Sequence, residues 1–120
     1  MRYLLLIYGD ESQWGSMAAD DRGKEMETYN VYTQWLKDTG QFEAGEALEP
    51  TATATTVRVR DGQTLSTDGP FAETKEQLGG FYLVNAENLD QAIEAASRIP
   101  AARGGSVEVR PIVEFGPAPE

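Results

Sequence analysis

Asp68-Gly69-Pro70-Phe71-Ala72-Glu73-Thr74-Lys75-Glu76-Gln77-Leu78-Gly79-Gly80-Phe81 places turn chemistry and four charged side chains between two strand-like segments. Aspartate suits the first position of a turn, glycine tolerates unusual φ, and proline fixes φ. Phe71 is then expected to dock on the core. Gly79-Gly80 opens a strand and lacks the Lys-Ser/Thr of a phosphate loop, so it reads as a bulge or a close backbone approach.

Upstream, Thr51 to Arg60 alternates, with Thr53, Thr55, Val57 and Val59 on one face and Arg58 and Arg60 on the other. Asp61-Gly62 is the signal for a two-residue type I′ hairpin, and the return strand runs from about Gln63 to Thr67. That turn sets Leu65 opposite Arg58 and Ser66 opposite Val57. Downstream, Gly79 to Asn85 reads as a strand with Phe81 and Leu83 on one side and Tyr82 and Val84 on the other.

Further out, Arg2 to Tyr8 is a short apolar strand closed by Gly9-Asp10. Glu11 to Ala19 has no clean period and reads as a loop carrying Trp14. From about Asp20 to Thr39 a helix is expected, with Met26, Tyr29, Thr33 and Leu36 on one face, Tyr32 beside them, and Gly40 as its stop. Trp35 and Val31 lie off that stripe and suggest a second contact surface. Asn88 caps a second helix, Gln91 is its capping-box partner, and Leu89, Ala92, Ile93, Ala96 and Ile99 make its stripe until Pro100. The last strand runs from about Ser106 to Phe115, and Pro111 argues for an edge or a bulge.

The expected order is therefore strand, helix, hairpin, strand, helix, strand, an α+β pattern in which two helices cover one face of an antiparallel sheet. There is no internal repeat. Residues 1–115 read as a single domain and residues 116–120 as a frayed tail.

Twenty acidic residues against ten basic give a net charge of −10, which disfavours nucleic acid and anionic lipid as partners. The absence of Cys and His excludes a disulfide framework, a thiol nucleophile, an imidazole base and the usual transition-metal ligands. The apolar run from Tyr3 to Tyr8 is far shorter than the roughly 20 residues of a membrane span, and it lacks the features of a signal peptide. A cytoplasmic location is expected, which the lack of Cys fits.

Together with Ala44-Gly45-Glu46-Ala47-Leu48, Thr56-Val57-Arg58 and Val107-Glu108-Val109-Arg110-Pro111, the run from Asp68 to Phe81 resembles the DGPF family of the YCII-related group. The resemblance implies a ferredoxin-like domain that pairs through its second sheet face into a dimeric α+β barrel, so the partner expected is a second copy. It implies no settled activity. Some relatives are thought to use a His-Asp pair or are associated with dehalogenation of ring metabolites, and this chain has no His to supply such a pair.

Asp68 is the leading catalytic candidate: a carboxylate held on a rigid loop and facing a cavity is a usable acid or base. Its plain structural role is the turn. Glu73 follows the Phe71 anchor and could face the same cavity. Two carboxylates alone are a weak metal signal, so no metal and no cofactor is assigned. Arg58 and Arg110 sit on polar strand faces and could fork a carboxylate or phosphate, or simply neutralise nearby acids. Phe71, Tyr82 and Tyr8 complete the expected binding set, although strand aromatics also serve as plain core.

Three readings stay open. One is a homodimeric domain that binds an unidentified small molecule, in a regulatory or accessory role. Another is a cofactor-free isomerase, lyase or hydrolase acting on a small polar or ring metabolite, with Asp68 as base. The last, from family association alone, is a transcription-associated interaction module.

Overall fold

A computed structural model describes residues 1–115; the expected frayed tail, residues 116–120, lies outside the described residues. The chain forms β1 (Arg2–Gly9), α1 (Glu11–Ser16), α2 (Ala19–Asp38), β2 (Phe42–Ala47), β3 (Thr55–Arg60), β4 (Gln63–Asp68), β5 (Gln77–Asn85), α3 (Leu89–Ser97) and β6 (Ser106–Pro111). Four strands make one antiparallel sheet in the order β2-β5-β1-β6, while β3 and β4 pair only with each other. The fold is α+β, and the strand order of the main sheet is consistent with a ferredoxin-like domain.

The expected element order needs three corrections. The hairpin does not enter the main sheet. Its place there is taken by β2, a strand that Phe42-Glu43-Ala44-Gly45-Glu46-Ala47 hides behind residues of weak strand propensity. The segment expected as a loop after β1 contains α1, whose first turn is capped by the Asp10 carboxylate accepting from the Ser12 amide at 3.0 Å. The last strand also stops at Pro111.

β1 explains the core. Its alternate side chains Tyr3 and Leu5 point at the helices, where they meet Tyr82 and Val84 from β5, Tyr32 and Leu36 from α2, and Ala92, Ala95, Ala96 and Ile99 from α3 and its end. The small alanines let α3 lie close to the sheet, and Leu89 and Ile93 stay outward-facing and exposed, against the expected stripe. Met26 and Val31 are exposed as well. Trp35 packs on the core edge with the Arg98 guanidinium 4.4 Å from its ring centre, so the second contact surface of α2 is α3's C-terminal end.

Both readings of the glycine pair are realised. Gly79 is the extra residue of a bulge, since Ile7 pairs with Gly80 and Tyr8 with Leu78. At Gly80 a Cβ would sit 2.9 Å from the Glu46 carbonyl oxygen across β2. The hairpin turn is as expected, with φ of 52° at Asp61 and 75° at Gly62, and Arg58 faces Leu65 as Val57 faces Ser66. Pro111 does lie on an edge strand. No helix among the described residues is long and apolar enough to cross a membrane.

Candidate functional site

The face of the main sheet away from the helices lies outside the chain's own core, and its central side chains are half-buried. Cross-strand register puts Leu4 beside Leu83 and Leu6 beside Phe81 at its centre, with Arg110 and Glu108 on the β6 side and Glu46 on the β2 side. At the end of this face where β1 finishes, an open cleft of about 900 Å³ is lined by Tyr8, Thr74, Lys75, Glu76, Ser106, Val107 and Glu108.

Three chain segments build it. The bulge at Gly79 turns the end of β1, and Tyr8 pairs with Ser106 on β6. The third wall is the loop before β5, and it is tied down by its own polar groups. The Thr74 hydroxyl donates to the Glu76 carbonyl, the Gln77 amide group donates to the Thr74 carbonyl, and the Ser106 hydroxyl donates to the Glu76 carboxylate at 2.8 Å. Gly105 makes the approach of β6 possible, because a Cβ there would overlap the carbonyl oxygen of Tyr8.

Glu11, at the start of α1, anchors this region from the other side. Its backbone amide donates to the Gln77 side chain at 3.0 Å, and its carboxylate accepts from the amide of Thr51 at 3.1 Å and from the Thr51 hydroxyl. One residue thus joins the entry to β3, the entry to β5 and the end of β1. Reading Glu11 to Ala19 as a loop concealed that role. The available signal was the Asp10 cap ahead of it.

The expected site residues do not converge. Tyr8 lines the cleft. Arg110 stands behind it, ion-paired with the lining Glu108. Glu73 is exposed and adjoins the lining Thr74. Tyr82 is buried under the opposite face, its hydroxyl 2.8 Å from that of Thr33 and its ring edge-on to Tyr32, so it is a core residue.

Asp68 ends β4 opposite Thr55 and is exposed; the foot of the hairpin is closed instead by backbone, with the Gly69 amide donating to Ala54 at 2.7 Å and the Thr56 hydroxyl to the Gly69 carbonyl at 2.8 Å. Pairing puts Asp68 on the Val57 face of the hairpin and Arg58 on the other, so this carboxylate and guanidinium point to opposite sides. Phe71 is not the core anchor expected from its turn: it is 82% exposed. Asp68, Arg58 and Phe71 are therefore outside the lining of the cleft.

Chemically the cleft offers three hydroxyls, one ammonium on Lys75 and two carboxylates, with Glu76 engaged by Ser106 and Glu108 by Arg110. No cluster of three or more metal-ligating side chains gathers among the described residues. Such a surface can hydrogen-bond a polyoxygenated ligand and pair with one negative charge.

The chain is 37% identical over 119 residues to an uncharacterised protein of Rhizobium meliloti (strain 1021), covering 98% of this chain and 96% of that one. Residues 1–116 match the model of the YCII-related domain, and the chain belongs to that family.

Proposed function

We propose that this YCII-related domain, in its DGPF-like branch, is a homodimeric binder of a small, oxygen-rich, anionic metabolite, held in the cleft between Tyr8, the loop at Thr74–Glu76, and Ser106. The observation that carries this reading is the composition of the cleft wall, where one ammonium stands among three hydroxyls beside carboxylates already engaged by neighbours. Lys75 reads the negative group, the Tyr8 hydroxyl can donate to or accept from the ligand, and the Thr74 and Ser106 hydroxyls, whose protons are engaged by Glu76, accept from the ligand's own hydroxyls. The half-buried apolar centre of the sheet supports the second copy. The exposure of Asp68, on the hairpin and away from the cleft lining, favours binding over acid/base turnover at that residue.

A thermal-shift screen of hydroxy acids and sugar acids tests it. A ligand at about 100 times its Kd adds about 2.7 kcal/mol of stability. Lys75→Ala and Tyr8→Phe are expected to abolish the shift while leaving the unliganded melting temperature nearly unchanged. A shift retained in full by both variants would place the ligand elsewhere.

A further inference from the structure

We propose that the β3–β4 hairpin is an arm that clasps a second copy of this chain; the identity of the occupant rests on the dimer reading above. Within its own chain the hairpin makes no substantial contact with any other element among the described residues. Every residue of β4 is exposed, and Val57 and Val59 of β3, at 59% and 60% exposure, share one face with Leu65 on the other. The molecule is correspondingly extended, with a radius of gyration of 16.9 Å, where a compact chain of this length has about 14 Å. A two-stranded hairpin with nothing packed on it is at best marginally stable in water. A regular six-residue pair with a matched turn therefore calls for cover.

Three features point to a second copy as that cover. The chain carries a half-buried apolar surface of its own in Leu4, Leu6, Phe81 and Leu83, and an exposed Phe71 just past the foot of the arm. The dimensions fit, since six residues at about 3.3 Å make an arm about 20 Å long, and four strands about 4.8 Å apart make a sheet of nearly the same width. Charge is compatible as well: with Val57 and Val59 turned to the partner's sheet, Arg58 and Arg60 face outward, and the exposed Glu43 and Glu46 make the β2 edge acidic, so the basic side of the arm meets no like-charged edge there. Because β4 runs on into the loop that carries Thr74, Lys75 and Glu76, capture of the arm by the partner also steadies one wall of the cleft.

Analytical ultracentrifugation and amide hydrogen exchange on the whole chain test the clasp, using the double variant Val57→Ser, Val59→Ser and, for comparison, Leu83→Lys on the open sheet face. In the wild-type dimer the arm amides are expected to be protected, and dilution below the dimer Kd should speed their exchange at least tenfold while the amides of β1 and β5 stay slow. The double variant should raise the dimer Kd at least tenfold with the main sheet still protected. Arm protection that ignores dilution, or a dimer Kd unchanged by the double variant, overturns the clasp. A dimer that survives the arm variant but not Leu83→Lys overturns the clasp and keeps the sheet-face dimer. One that survives Leu83→Lys but not the arm variant supports the clasp and removes the sheet-face reading. A wild type that is monomeric at every concentration removes both.

Discussion

Tyr29 and Tyr32 show how single side chains on α2 set the conditions under which the fold holds. Tyr32 is buried and donates its hydroxyl to the Ala95 carbonyl at 2.7 Å, tying α2 to α3, while Tyr29 packs against the core edge. Burial pushes the Tyr29 phenol up to about 12 and raises that of Tyr32 as well. In the unfolded chain both ionise near the ordinary tyrosine value of about 10. A raised folded-state value means that the contribution to stability is complete below about pH 10, shrinks as the unfolded chain gives up its protons first, and is gone above the folded value. The urea midpoint is therefore expected to be flat up to about pH 9.5 and to fall between about pH 10 and 12. Tyr29→Phe should make that fall shallower, and an equally steep fall in the variant would assign the alkaline loss to other groups. The same scale shows why Phe71 misled the sequence reading. Its turn chemistry is real, but 82% exposure leaves it little burial to lose in the single chain, so the cost of about 3–5 kcal/mol for truncating a buried Phe does not apply there.

Among the elements, those with a local physical signature were legible and those formed by tertiary contacts were not. The β3–β4 hairpin could be read to the residue pair because Asp61-Gly62 fixes its turn and hence its register. α3 could be read because Asn88 caps it, its side chain accepting from the Gln91 amide at 2.9 Å, although the buried face is drawn by Ala95 instead of Leu89. β2 had no such signature. It pairs along β5 with a register shift between Phe42 and Ala44, and its Gly45 lies under the ring of Tyr82, where a Cβ would come within 2.6 Å of Cδ1. The residue that weakens the strand in propensity is the one that the packing needs. Gly45→Ala is accordingly expected to destabilise the protein by about 1–3 kcal/mol, the cost of overpacking a filled site, with a lowered urea midpoint as the readout. A midpoint unchanged from wild type would mean that Tyr82 can move aside without loss, despite its hydroxyl contact with Thr33.

At the scale of the whole molecule, the cleft joins the end of β1, the loop before β5 and the start of β6, positions separated by tens of residues. Of the expected site residues, Tyr8 lines it directly, because no short motif encodes a meeting of three segments. The sequence was more informative about the sheet face beyond the cleft. Alternation in β1 and β5 leaves Leu4, Leu6, Phe81 and Leu83 on the side opposite the helices, and the structure keeps that side outside the chain's own core. These side chains are already half-buried in the single chain, so covering the rest of each against a partner contributes less than the roughly 1.5–3 kcal/mol of a fully exposed one, before the cost of association is subtracted. A lysine in place of Leu83 would instead bring an unpaired ammonium into the middle of that contact, at a cost of several kcal/mol, and each 1.4 kcal/mol is about tenfold in Kd. Leu83 contributes little to the core of the single chain, which lies on the other face with Tyr82 and Val84. Light scattering at micromolar concentration should therefore report twice the monomer mass for the wild type and a folded monomer for Leu83→Lys, with Kd raised more than about a hundredfold and an unchanged far-ultraviolet circular dichroism spectrum. A variant that remains dimeric would show that this face stays open in the assembly, and a variant that unfolds would show that Leu83 is part of the chain's own core.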